Sequence, residues 1–153
     1  MMGVKLRRLL LVAGLFIFSV LIGPVEGAHA ATVNYGAAAL NWAEVNATGD
    51  WYVYGADGPS EYDCSGLVST AVQKADGFAI GRDTYEMLDT HGNGHLVQTE
   101  NPRRGSLVFI GTGHVEFYTV WSHMTFGAHD TGTRIGWLDW YSWPAGTTFW
   151  NVV

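Results

Sequence analysis

The chain has 153 residues, 48% hydrophobic and 14% aromatic, with eight basic and fourteen acidic side chains and a formal charge of −6. Beyond residue 30 five basic residues face thirteen acidic ones, a charge of −8. Such a domain has no cationic stripe for nucleic acid or for an anionic membrane surface, so both are set aside as partners.

Lys5, Arg7 and Arg8 precede the apolar run Leu9 to Ile22, and "GPVEGAHA" follows. Basic region, short apolar region and small-x-small ending are the layout of a secretory signal peptide, with cleavage expected after Ala30. The alternative is an uncleaved membrane anchor, for which the run is short. No cysteine stands near the cleavage point, which argues against a lipid anchor. Residues 1–30 are therefore read as the signal and 31–153 as one domain, large enough for one core.

In that domain, "YGAAALNWAEV" from Tyr35 to Val45 places Ala38, Trp42 and Val45 at helical spacing, with Gly49 as the stop. "WYVYGADGPSEY" follows as a short extended piece and a turn. "DCSGLVSTAVQKAD" is expected to be a second helix, capped by Asp63, with Leu67, Val68, Ala71 and Val72 on one apolar face. "GRDTYEML" reads as a short third helix and "DTHGNGHLVQTENPRRG" as a surface loop. The pattern then changes to "SLVFIG", "HVEFYTVW", "HMTFGAH" and "TTFWNVV", short segments rich in Val, Phe, Tyr and Trp between glycine breaks. Helices first and strands afterwards predict an α+β domain with an antiparallel sheet. Most of the tryptophans, among them Trp51, Trp121, Trp137, Trp140 and Trp143, are expected in the core, with an aromatic wall along a groove as the alternative.

Cys64 is the single cysteine of the chain. An exported domain usually pairs its cysteines, so an odd one implies a bond to another chain, a reactive thiol or an inert buried side chain. At the first turn of a helix a sulfur meets unpaired N–H groups and the positive end of the helix dipole, which stabilise a thiolate. Gly66 is read as clearing bulk beside the sulfur. Six histidines are available as a base. His29 leaves with the signal, and His91 and His95 flank "GNG" in the polar loop, where a solvated role is expected. One cysteine and no compact His/Asp/Glu cluster give little support for zinc. If "HVEFYTV" and "HMTFGAH" pair as a hairpin across "VWS", His114 and His129 become neighbours and His123 lies at the far end.

"YVYGADGPSEYDCSGLV", "GRDTYEML", "RRGSLVFIGTGHVEFY" and "FGAHDTG" together resemble the NlpC-type cysteine peptidases, papain-like enzymes that cut bacterial cell-wall peptides. The resemblance spans residues 36–140. It implies a papain-like α+β fold with N-terminal helices packed on a central antiparallel sheet. It also implies Cys64 as nucleophile, His114 as general base, His129 as the group orienting the imidazole, and Tyr52 beside the oxyanion with the Cys64 N–H. Asp63 and Ser65 match positions that help hold substrate, capping being the alternative for Asp63. The chain departs from the family pattern at Ser106 in "GSLVF" and at Glu116, where a glycine is usual. Glu116 alternates to the same side of its strand as His114, so it is expected at the site, near the substrate, where it would raise the imidazole pKa. The function implied is a secreted, monomeric endopeptidase acting on peptidoglycan stem peptides, at the bond from D-glutamate to the diamino acid. It needs no metal or cofactor, and no membrane once the signal is gone. N-acetylmuramoyl-L-alanine amidase or acyltransferase activity, or a catalytically silent wall-binding domain, are the alternatives.

Overall fold

The computed structural model describes residues 33–153, so the signal segment read at 1–30 lies outside the described residues. Helix α1 (Tyr35–Asn46) opens at Asn34, whose side chain accepts from the Ala37 N–H. Its buried stripe is Gly36, Ala39, Leu40 and Ala43, one position out of phase with the expected face. Ala38 is exposed and so is Val45, at 81%. The helix is apolar nearly all round, so spacing alone did not choose a face. Backbone contact did: a Cβ at Gly36 would stand 2.1 Å from the Gly105 carbonyl oxygen, so only glycine lets the helix seat there.

Strands β1 (Trp51–Tyr52) and β2 (Glu61–Tyr62) pair in parallel, closing the turn between them. Chain then passes directly from β2 into helix α2 (Cys64–Asp76). Asp63 caps α2 from an extended backbone, accepting from the Gly66 N–H at 2.6 Å. Gly77, at φ +84°, ends it in the left-handed conformation expected of a C-terminal glycine. Leu67, Val68, Ala71 and Val72 are fully buried, as their spacing predicts. Helix α3 (Thr84–Asp89) is shorter than expected because Asp83 caps it, leaving Gly81 and Arg82 outside.

The stretch read as a loop holds a 3₁₀ turn (Gly92–Gly94) and strand β3 (Leu96–Gln98). His95 is not simply solvated: its ring stacks on Phe78 at 3.9 Å, and Nδ1 lies 3.0 Å from the Val153 carbonyl. β4 (Leu107–Ile110), β5 (His114–Tyr118), β6 (Met124–Gly127), β7 (Gly136–Asp139) and β8 (Thr147–Val152) complete a six-stranded antiparallel sheet in the order β3-β8-β4-β5-β6-β7. β5 and β6 form the anticipated hairpin, with Phe117 opposite Phe126. Leu107, Phe109, Val115, Phe117, Phe126 and Trp150 join α1 and α2 in the core. Their alternates Val108, Glu116 and Thr125 are buried on the opposite face. The tryptophans divide: Trp51, Trp121 and Trp137 are 44%, 67% and 52% exposed, against the core placement expected of them.

Candidate active site

Cys64 sits at the first position of α2, with 7% of its surface exposed. It opens into a cleft of about 390 Å³ lined also by Tyr52, Tyr54, Asp63, Ser65 and Arg82. Asp63 takes the N–H of Gly66 through its side chain and that of Leu67 through its carbonyl. The N–H groups of Cys64 and Ser65, ahead of them, have no protein acceptor among the described residues. Two unspent donors therefore stand at the positive end of the helix, on the two residues, Cys64 and Ser65, that line the cleft there.

The turn before α2 fixes that geometry. The Asp63 N–H donates to the Ala56 carbonyl at 2.8 Å, and the Gly55 N–H donates to Asp63 Oδ2 at 2.9 Å. A Cβ at Gly66 would stand 2.2 Å from the Ala56 oxygen. Gly66 thus permits backbone to lie against backbone; clearing space around the sulfur, its expected role, is not where its nearest contacts are. Tyr52 reaches the cleft because β1 pairs with the strand that leads into Cys64. Burial first, then the charges of Cys64 and Asp63, push the Tyr52 phenol up, which keeps it a hydrogen-bond donor.

Arg82 received no role from the sequence, although its segment stood out. Its Nη1 donates to Asp63 Oδ1 at 3.2 Å and to Ser65 Oγ at 3.3 Å; Nη2 donates to the Gly55 carbonyl at 2.9 Å and to Asp63 Oδ2 at 3.2 Å. Burial opposes ionisation of Asp63, but the bonds from Arg82 and the Gly66 N–H outweigh it and hold the carboxyl below its usual range. The available signal was one of five cations in an acidic domain, directly before a helix cap. Ser65 donates to Asp63 Oδ1 at 3.1 Å, so Asp63, Ser65 and Arg82 form one wall of the cleft.

His114 opens β5 and meets the Cys64 thiol. Its Nε2–H donates to Glu116 Oε1 at 2.7 Å, which leaves Nδ1 for the sulfur. Burial would lower the imidazole pKa, but the hydrogen bonds to Cys64 and Glu116 raise it to about 10. Glu116 is fully buried, and burial opposes its charge; the bonds from His114 and His129 bring it down to about 2. Two expectations are corrected here. Glu116 has no exposed surface and lies behind the imidazole, so it is not among the groups that face substrate. His129 does not bond His114: its Nδ1 lies 2.5 Å from Glu116 Oε1 and its Nε2 3.0 Å from the Gly136 carbonyl, so a carboxylate stands between the two rings. His123 lies at the hairpin turn, away from this cluster, as expected.

A larger apolar groove of about 610 Å³ runs beside Trp121, Met124 and Trp137. Its charged members, Arg104 and Glu44, are paired with each other at 2.6 Å, so the chemistry resides in the Cys64 cleft.

A helix-borne thiol facing an imidazole from an antiparallel sheet defines a papain-like arrangement. The model of the NlpC/P60 family matches residues 49–139, and the chain belongs to that family. Among solved structures, the fold is similar to the NlpC/p60 domain of the peptidoglycan hydrolase SagA, with TM-score 0.62, 24% identity, and 77% of this chain and 98% of that one covered. It is similar to NlpC1 from Trichomonas vaginalis, with TM-score 0.60, 25% identity, and 83% of this chain covered but only 46% of that one. The peptidoglycan hydrolase RipB from Mycobacterium tuberculosis gives TM-score 0.59 and 22% identity, over 76% of this chain and 63% of that one. The chain thus spans the SagA domain but less than half of the Trichomonas protein. No curated protein matches the sequence.

Proposed function

We propose that this chain is a secreted, monomeric cysteine endopeptidase that hydrolyses amide bonds in peptidoglycan stem peptides. Membership of the NlpC/P60 family and the two similar structures that bear the name peptidoglycan hydrolase support the substrate class. The single observation that carries the chemistry is the pairing of Cys64, which lines the cleft at the tip of α2, with the imidazole of His114, next in the chain to the cleft residue Gly113.

The proposed steps use the residues that meet at the cleft. The Cys64 sulfur, its proton held by His114, attacks the substrate carbonyl carbon, and the carbonyl oxygen takes up the negative charge. The Cys64 N–H and the Tyr52 hydroxyl stabilise that oxygen. His114 then gives its proton to the departing amine and a thioester remains. Water, deprotonated by the same imidazole, attacks the thioester and releases the acid. Asp63, Ser65 and Arg82 supply the wall against which the peptide lies.

The bond assigned is D-glutamate to the diamino acid. Mass spectrometry of muropeptides tests it: a new amino group on the diamino acid is the expected product. A free alanine amine would instead mark an amidase, and an amide exchanged onto an added amine an acyltransferase. Cys64 is expected to react with iodoacetamide faster than a free thiol at pH 6.5; slow labelling with wall binding intact would mark a silent binding domain.

A further inference from the structure

Glu116 is the one acid among the described residues with no solvent exposure. An ionised carboxylate in such a place is costly unless its lone pairs are met, and here they are. Oε1 accepts from His114 Nε2 at 2.7 Å and His129 Nδ1 at 2.5 Å. Oε2 accepts from the Thr125 hydroxyl and from the Trp140 indole N–H at 3.3 Å. The indole also donates to Thr125 Oγ1 at 2.9 Å, tying the two supports together. These distances are hydrogen bonds. Two ligands of a tetrahedral zinc, each about 2.0–2.1 Å from the ion, stand roughly 3.3 Å apart.

A histidine ring is fixed by whatever bonds its far nitrogen. For His114 that partner is Glu116. Both nitrogens of His129 are occupied, one by Glu116 and one by the Gly136 carbonyl, so His129 reaches His114 only through the carboxylate.

We propose that Glu116 is the positioning residue of this site: its carboxylate fixes the His114 tautomer, turns Nδ1 toward Cys64 and faces the ring both when it carries the extra proton and after it has given that proton up. His129, Thr125 and Trp140 hold the carboxylate from behind. This rests on the reading of Cys64 and His114 as nucleophile and base. The groups facing His114 are Cys64 from α2 and Glu116 from β5 itself; those facing Glu116 are His114, His129 and Thr125 and Trp140 from the β6 and β7 side.

The test uses the full chain as wild type, Glu116→Gln, Glu116→Asp and His129→Gln, each checked for folding by near-ultraviolet circular dichroism. Cys64 alkylation by iodoacetamide and kcat/KM on muropeptides are measured from pH 5 to 10.5. Glu116→Gln is expected to move the alkaline inflection, where the imidazolium beside the thiolate loses its proton, down by at least one pH unit. At pH 8 it lowers kcat/KM at least tenfold with KM within twofold. Glu116→Asp restores part of that loss, and His129→Gln shifts the inflection by less than half a unit. An unchanged inflection in Glu116→Gln, or a larger shift in His129→Gln, overturns the proposal. Nitrogen-15 NMR of wild-type imidazoles gives a check that needs no variant: His114 Nε2 carries its proton from pH 6 to 9, and a bare Nε2 overturns the assignment. If wild type cuts muropeptides while Glu116→Gln keeps its inflection and its rate, the role of Glu116 falls alone. If wild type cuts nothing while the alkylation profiles behave as stated, the peptidase reading falls and the positioning of His114 stands.

Discussion

Gly127 lies against Glu116 across the β5–β6 pair: a Cβ there would stand 2.7 Å from Glu116 Cγ and 3.0 Å from Cδ. Its backbone is not in the left-handed region, so space alone explains the glycine. Gly127→Ala should cost about 1–3 kcal/mol in overpacking. By tilting the carboxylate away from His114, it should also lower kcat/KM at least tenfold. Urea denaturation and muropeptide kinetics on the same preparation check both effects. An alanine variant with wild-type stability and rate would show that Glu116 has room to move freely.

Gly66 in "DCSG" faces the Ala56 carbonyl, not the sulfur. Gly66→Ala must push the 55–57 turn off α2 and break the Asp63 bonds to the Gly55 and Gly66 N–H groups. A loss of about 2 kcal/mol or more is expected, with slower alkylation of Cys64. Denaturant titration measures the first and thiol kinetics the second.

Stability should depend on pH at both ends. Glu116 falls from 4.5 to about 2 on folding, and Asp63 is also lowered from 3.8. Both contribute stability that is fully present above the unfolded values and lost as pH falls through the folded ones. His114 is raised from 6.5 to about 10, so its contribution is present below pH 6.5 and lost as pH rises toward 10. Denaturation midpoints from pH 2 to 10.5 should therefore form a dome, and in Glu116→Gln both limbs should be shallower.

Beyond residue 30 the charge of −8 predicts that anionic wall polymers repel the domain. Moderate salt screens that repulsion, so hydrolysis of intact walls should rise with ionic strength to about 0.15 M. Hydrolysis of a small soluble muropeptide should change little over the same range. A steady decline on intact walls would contradict this.

Much of the architecture was legible because the relevant signals are local. Asp63, Gly77 and the Leu67/Val68/Ala71/Val72 stripe define α2 from within its own sequence. The hairpin follows from two β-rich runs around a short break. α1 was legible as a helix but not in its facing, which depends on the Gly36–Gly105 approach between segments far apart in the chain. β7 went unread because it is an edge strand of alternating exposure inside a run of aromatics. At the site, the alternation of β5 put Glu116 on the side of His114. It did not show that Glu116 would be roofed by Thr125, His129 and Trp140, since those contacts arise only when β6 and β7 close over it. Arg82 escaped for the same reason: its partners at residues 55–65 come together through the turn preceding α2.

The most direct measurement is mass spectrometry of purified muropeptides digested by wild type and by Cys64→Ala at equal concentration. Wild type should release fragments with a new amino group on the diamino acid, and Cys64→Ala, folded to the same melting temperature, should release none. Equal cleavage by both, or none by wild type under conditions where Cys64 alkylates readily, would contradict the assignment of Cys64 as the nucleophile of a peptidoglycan hydrolase.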